Sequence, residues 1–122
     1  MRYRIACLMM SFAVLAPAAA AADGSGAIAY SPATGSRGWS YSFASREGAE
    51  AAALKMCVAY ARDCLVAVSY TGGCGALATA PSGAYSAVSG ATRRAAEDEA
   101  LSACGKASSS QCSVAVWSCS SG

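Results

Sequence analysis

Hydrophobic and polar positions along the chain follow one pattern that occurs twice. In each copy, a short apolar segment and a turn come first. A segment of alternating large and small residues follows (WSYSF at 39–43 in the first copy), and then an alanine-rich stretch and a valine-rich segment. Alternation with a period of two residues predicts a strand, whereas apolar positions three and four residues apart predict a helix. Each copy therefore predicts the order strand–strand–helix–strand.

The two copies can be aligned residue by residue. Three pairs of segments define them: GAIAY at 26–30 and GALAT at 75–79, AEAAALKMC at 49–57 and AEDEALSAC at 96–104, and DCLVAVS at 63–69 and QCSVAVW at 111–117. The offsets of 49, 47 and 48 residues indicate that one unit was duplicated and that only its loops changed length. The copies cover about residues 26–70 and 75–119.

Both predicted helices have recognisable ends. Ser45 is expected to cap the first helix, which extends to about Tyr60. Thr92 is expected to cap the second helix, which stops at Gly105. The helices carry matching stripes that we expect to be buried at equivalent positions: Ala53, Leu54 and Cys57 in the first, and Ala100, Leu101 and Cys104 in the second.

The fold class that this order predicts is α+β. A unit of roughly 45 residues with such small side chains cannot bury a sufficient core alone, so we expect the two units to form one domain. We predict a disulfide-stapled two-layer sandwich with a pseudo-twofold axis, in which one sheet carries both helices on one face. The valines of the last strands should lie on one face; if that face is toward the helices, three other residues face away from them. These valines are Val66, Val68, Val114 and Val116, and the outward residues are Leu65, Ser113 and Trp117.

The first residues of the chain are typical of a signal peptide. Arg2 and Arg4 precede an apolar run at 5–15, and alanines at 18–22 offer small residues for cleavage. We expect cleavage near Ala20 to Ala22, which leaves residues 23–122 as a single mature domain in the periplasm or outside the cell. An uncleaved membrane anchor is the alternative, but the run is shorter than the roughly 20 residues that a spanning helix needs.

The charge of the mature chain argues against two classes of partner. Without residues 1–22, seven basic and seven acidic residues remain, so the net charge is zero. A nucleic-acid-binding domain is expected to be basic, and no polybasic segment points to anionic lipid. We therefore expect no nucleic-acid partner and no membrane insertion after cleavage, and we expect a monomer.

Six cysteines remain after cleavage, and the repeat suggests how they pair. An even number in a small exported domain predicts disulfides. A metal site is disfavoured because the chain has no histidine and because the cysteine spacings exceed those of zinc sites. The symmetry of the two copies predicts the pairs Cys57–Cys64, Cys104–Cys112 and Cys74–Cys119.

The residues give little support for catalysis. Without histidine, Ser-His-Asp and Cys-His mechanisms are impossible. The acidic run at 97–99 is interpreted as a solvated helix face, and the glycine-rich segment 72–75 lacks the lysine of a phosphate-binding loop. We therefore expect a non-enzymatic protein without a cofactor.

Three aromatic residues are better candidates for function. Trp39, Tyr41 and Trp117 have no equally large aromatic at the matching places of the other copy; Trp117, for example, stands where the first copy has Ser69. A surface of this kind suits a protein or glycan partner. The alternative is that these side chains only cover the open face of a thin sheet.

The whole pattern resembles a known bacterial family. The recurring G-A-[IL]-A segment, the alanine-rich helix that ends in cysteine, and C-x-V-A-V over about residues 26–119 are similar to the family known as domain of unknown function 4189. The resemblance implies a small exported or secreted domain of proteobacteria and mycobacteria, where members can act on a host. It implies no catalytic residues.

We therefore expect a small exported, disulfide-rich binding module that acts on a protein or cell-envelope partner. An inhibitor or immunity protein that fills an enzyme cleft with one of its loops is a special case. The alternatives are a secreted effector with a host target and an atypical hydrolase.

Overall fold

The computed structural model describes residues 24–121. Its elements in chain order are β1 (Ser25–Tyr30), β2 (Arg37–Phe43), α1 (Arg46–Val58), β3 (Leu65–Thr71), β4 (Cys74–Thr79), β5 (Tyr85–Gly90), α2 (Arg93–Ala107) and β6 (Ser113–Cys119). The expected signal peptide over residues 1–22 lies outside the described residues. None of the helices within 24–121 has the length and apolar character needed to cross a membrane.

Each repeat folds into one sheet and one helix. The first repeat forms a three-stranded antiparallel sheet in the order β2-β1-β3, and the second forms an equivalent sheet in the order β5-β4-β6. Each sheet packs against the helix of its own repeat, so each repeat is a two-layer unit. The α+β class and the duplicated strand–strand–helix–strand unit are confirmed.

The helices bury a stripe of small residues against the central strand. On α1 the stripe is Ala49, Ala53 and Cys57, which packs on Ala27 and Ala29 of β1. The second repeat repeats this packing with Ala96, Ala100 and Cys104 on the alanines of β4. Leu54 and Leu101 lie at equivalent, half-buried positions beside the two clusters. Small side chains suit this interface because they let a helix approach the sheet closely.

The two sheets pack face to face through a third cluster. Ile28 and Leu77, from the central strands β1 and β4, are fully buried in it. Tyr30 and Tyr85 meet in the same cluster with ring centroids 5.0 Å apart. The expectation of one sheet with both helices on one face was therefore wrong: the layers run helix, sheet, sheet, helix. The reason is that β1 and β4 are apolar on both faces, and such a strand needs a packed layer on each side.

A β-bulge explains why the expectation that all four valines share one face was wrong for Val68 and Val116. Between Ile28 and Ala29 the register with β3 shifts, and Ala67 and Val68 both pack in the cluster between the sheets. The same shift in the second repeat places Ala115 and Val116 there. Val68 and Val116 thus face the opposite sheet instead of a helix, because a bulge interrupts the period-2 alternation.

The helix starts follow the prediction, but the helix ends do not. Ser45 caps α1 by accepting a hydrogen bond from the Gly48 amide, and Thr92 caps α2 by accepting one from Ala95. However, α1 ends at Val58, before Tyr60, and α2 continues past Gly105 to Ala107. Gly105 is therefore an interior helix residue and not a stop signal.

The disulfides join Cys57 to Cys64, Cys104 to Cys112 and Cys74 to Cys119, the pairs that the repeat symmetry predicts. The first two occupy equivalent places and tie each helix end to the segment before the following strand. The third joins directly opposed residues of β4 and β6 within the second repeat. At the same place in the first repeat, Ser25 and Thr71 share a hydrogen bond of 3.0 Å between their hydroxyls.

Candidate functional site

Large exposed apolar side chains are confined to the first repeat within the described part of the chain. They are Trp39, Tyr41, Phe43, Met56, Val58, Tyr60 and Leu65. The equivalent positions of the second repeat hold small residues: Ala87, Ser89, Gly90, Ala103, Gly105, Ala107 and Ser113. The two copies share a scaffold, so this difference is not required by the fold.

One part of this surface is a row of side chains on β2, which we call the β2 stripe (Arg37, Trp39 and Tyr41). The alternate residues Gly38 and Ser40 are buried under α1, where the Ser40 hydroxyl donates to the Ala49 carbonyl at 2.6 Å. Alternation along the strand therefore places the stripe on the opposite face. Trp39 is 40% exposed and Tyr41 48%.

In the second repeat, two of the three positions equivalent to the β2 stripe pack between the sheets. Tyr85 and Ala87, the β5 residues equivalent to Arg37 and Trp39, pack in the cluster between the sheets. Arg37 instead crosses to the other sheet, where its Nη1 donates to the Ala115 carbonyl of β6 at 3.0 Å. This contact fixes one end of the stripe.

A second part of the surface is the loop at 58–63, which we call the Cys57–Cys64 loop because that disulfide closes it. Tyr60 on this loop is 84% exposed. At the start of the loop, the Ser36 hydroxyl donates to the Cys57 carbonyl at 2.9 Å. The loop is therefore constrained at its base while its apolar side chains point into solvent.

Asp63 fixes the far end of this loop to the turn between β1 and β2. Its Oδ1 accepts a hydrogen bond from the Ser31 hydroxyl, and its Oδ2 accepts one from the Ala33 amide at 3.2 Å. The hydrogen bond from Ser31 is the main reason that the pKa of Asp63 is lowered from its ordinary value of 3.8. Hydrogen bonds to the charged form of a carboxyl have this effect.

The structure places Trp117 away from the β2 stripe, so the expected outward orientation was wrong. Trp117 lies opposite Ala76 of β4 and packs against the cluster beneath α2. The guanidinium carbon of Arg93 lies 3.7 Å from the centre of the indole ring. Arg93 also pairs with Glu97 at 2.7 Å, so one residue of the acidic run belongs to a surface ion pair.

The two repeats meet at a buried tyrosine. Tyr70 of β3 hydrogen bonds through its hydroxyl to Ser118, the residue at the equivalent position of β6. Burial raises the pKa of Tyr70, and the hydrogen bond with Ser118 partly offsets this. A Cβ on Gly26 would lie 2.3 Å from the Tyr70 hydroxyl, so glycine is needed there for the ring to fit.

Sequence reasoning found only part of the exposed surface. The structure exposes Trp39, Tyr41 and Leu65, which the sequence analysis named as surface or outward-facing residues, but Phe43, Met56, Val58 and Tyr60 were missed. Comparing the side-chain size at each pair of equivalent positions would have found them. Among residues 24–121, no group of three His, Cys, Asp or Glu side chains is arranged to hold a metal ion.

Comparison with known proteins identifies one family. The model of the family described as domain of unknown function (DUF4189) matches residues 25–119. No curated protein and no solved structure matches the chain.

Proposed function

Because the chain belongs to the DUF4189 family, whose description assigns no activity, we propose a function from the surface of the molecule. The protein is a small exported, non-enzymatic binding module, and it docks onto a protein or cell-envelope partner through its first repeat. The three disulfides support export, because such bonds form and persist in oxidising compartments. The signal peptide expected at residues 1–22 would direct it there.

The observation that carries this proposal is the one-sided distribution of exposed apolar residues. All seven belong to the first repeat, while the second repeat has small residues at the same places. Exposed large apolar side chains that concentrate on one part of a soluble protein are candidates for an interaction site. Both copies of the duplicated unit carry the residues that the fold requires. A feature present in only one copy is therefore not needed for folding and is available for binding.

The composition of the surface fits a protein partner. Trp, Tyr and Arg are enriched among the residues that dominate binding energy at protein interfaces, and the β2 stripe contains one of each. The stripe lies on a strand, and Tyr60 lies on a loop closed by a disulfide. Such preorganisation reduces the entropy cost of binding.

An inhibitor of an enzyme is a special case that the Cys57–Cys64 loop favours. Tyr60 projects from this loop, and the loop is held at one end by Ser36 and at the other by Asp63. A constrained loop with an exposed aromatic tip has the shape needed to enter a concave cleft. The equivalent loop of the second repeat, at 105–111, carries only small and polar residues.

The test is capture of a partner by the oxidised mature protein from envelope extract, followed by calorimetry with the identified partner. We expect Trp39→Ala to weaken binding by about 30-fold, as truncation of a central interface aromatic commonly costs about 2 kcal/mol. Tyr41→Ala and Tyr60→Ala should weaken it as well.

The matched control is Lys106→Ala, which changes an exposed residue of the second repeat. It should bind like the unmodified protein. The proposal is wrong if the Trp39, Tyr41 and Tyr60 variants all bind as tightly as this control.

A further inference from the structure

A cavity of about 360 Å³ opens beside the first turn of α1, and no residue of the β2 stripe lines it. Arg46 and the β3 residues Ser69 and Thr71 form one side. The opposite side is Ser89, Gly90 and Ala91, at the junction of β5 and α2. Its size falls within the range of roughly 300–1,000 Å³ that is usual for small-ligand sites.

The Gly72-Gly73 link between the two sheets shapes one wall of this cavity. Both glycines have positive φ angles, of 71° and 70°. A Cβ on Gly73 would lie 2.4 Å from the Gly90 carbonyl oxygen. The link and the β5–α2 junction therefore lie close together, and both contribute backbone to the boundary of the cavity.

At the equivalent place in the second repeat, a tryptophan side chain lies against the arginine. Arg93 and Trp117 are the counterparts of Arg46 and Ser69, and there the arginine stacks on the indole at 3.7 Å. A smaller depression of about 270 Å³ lies between the start of the first repeat and the residues after β6, and neither Arg93 nor Trp117 lines it. It is bounded by Gly24, Ser42, Phe43, Ala44, Ser120 and Ser121.

We propose that this cavity between the repeats binds a planar aromatic ring, which lies beside Ser69 and stacks on the guanidinium of Arg46. The protein itself shows that this framework accommodates such a ring, because Trp117 occupies the equivalent place beside Arg93. Arginine over an aromatic face is a favourable cation–π contact.

The different ion pairing of the two arginines supports this assignment. Arg93 is paired with Glu97, whereas Arg46 makes no ion pair within the described residues. The hydroxyls of Ser69 and Ser89 also make no hydrogen bond to another residue of 24–121. They are therefore available to an N–H or O–H group on the ring, such as that of an indole or a phenol.

The same chemistry can come from a free aromatic compound or from an aromatic side chain of a partner protein. Indole and the tripeptide Gly-Trp-Gly separate these sources in an NMR titration of the oxidised protein. We expect saturable shifts at Arg46 and Ser69, with a dissociation constant in the millimolar range for a ring of about nine non-hydrogen atoms. Binding of both probes indicates a side chain, and binding of indole alone indicates a free compound.

The duplication supplies matched variants. Arg46→Ala should weaken indole binding by about fivefold, and Arg93→Ala, the same change in the filled site, should leave it unaltered. Ser69→Trp places the protein's own indole in the cavity and should abolish binding. Trp117→Ser empties the second site and should raise the stoichiometry from one indole to two.

Two outcomes would overturn the proposal. One is the absence of saturable binding by either probe. The other is binding that both Arg46→Ala and Ser69→Trp leave unchanged, which would place the probe elsewhere. These two variants alter exposed or half-buried positions and test the site even if Trp117→Ser fails to fold.

Discussion

At the scale of single residues, Asp63 shows how one side chain can fix an exposed loop. It joins the end of the Cys57–Cys64 loop to Ser31 and Ala33 in the turn after β1. Both contacts use the carboxylate oxygens as acceptors, so protonation of the carboxyl weakens them. The loop that carries Tyr60 is therefore held by a group whose charge can be removed with acid.

We expect this anchor to be weakened on acidification. The pKa of Asp63 is lower in the folded protein than its ordinary value of 3.8. The stabilisation is therefore complete above about pH 3.8 and declines as the pH falls through the folded value. The amide resonance of Ala33, followed by NMR from about pH 6 to about pH 2, should shift with a midpoint below 3.8.

Asp63→Asn is the control, because an amide does not titrate in this range. Its Ala33 resonance should show no such transition. A transition of equal size in both proteins would mean that another group is responsible.

At the scale of elements, two glycines, one in a helix and one in a strand, have opposite roles. Gly105 is an interior residue of α2, and a Cβ there would meet no atom within 4 Å. Gly38 lies on β2 beneath α1, and a Cβ there would lie 2.0 Å from the Ala53 carbonyl oxygen. The first glycine only adds flexibility to a helix, whereas the second makes the close contact of helix and sheet possible.

Alanine substitutions should separate these roles. Gly105→Ala should raise the free energy of unfolding by about 0.5–1 kcal/mol, because alanine restricts the unfolded chain and favours the helix. Gly38→Ala should lower the free energy of unfolding by about 1–3 kcal/mol, because the backbone must move to relieve the overlap. Urea unfolding of the oxidised protein measures both, and a loss of stability in Gly105→Ala would show that α2 ends earlier.

At the scale of the whole molecule, the second repeat replaces a hydrogen bond by a covalent bond. Cys74 and Cys119 hold the ends of β4 and β6 together where Ser25 and Thr71 hold β1 and β3. The first repeat folds with the weaker link, so the geometry of the strand pair does not itself need the disulfide. Its contribution lies in closing a long segment of chain, with a sequence separation of 45 residues.

Replacing the Cys74–Cys119 disulfide by the serine–threonine pair of the first repeat tests whether the strand pair needs the disulfide. The double variant Cys74→Ser, Cys119→Thr should keep the fold. It should lose about 3 kcal/mol of stability, since a closed loop of this length contributes about 4 kcal/mol and the new hydrogen bond returns ~1 kcal/mol. The matched double variant to alanine should lose about 1 kcal/mol more in the same unfolding experiment. Equal stability of the two double variants would contradict the equivalence of these positions.

The candidate site was only partly predictable from the sequence. Trp39 and Tyr41 stood out because they alternate with small residues on a strand and because the second copy lacks them. The cavity at Arg46 could not be predicted, since its walls come from β3, the Gly72-Gly73 link and the β5–α2 junction. Residues so far apart along the chain are brought together only by the packing of the two sheets.

The sequence by itself determined the duplicated unit, the order of its elements, the helix caps at Ser45 and Thr92, and the pairing of the cysteines. These features depend on local periodicity and on the correspondence of the two copies, and both can be read along the chain. Only the tertiary structure decided that the sheets pack face to face, that Val68 faces the opposite sheet and that Trp117 lies beneath Arg93. The physical reason is that a bulge in β3 and β6 reverses which side chains face the helix. The burial of β1 and β4 on both faces is likewise fixed by contacts between the repeats, which local alternation does not encode.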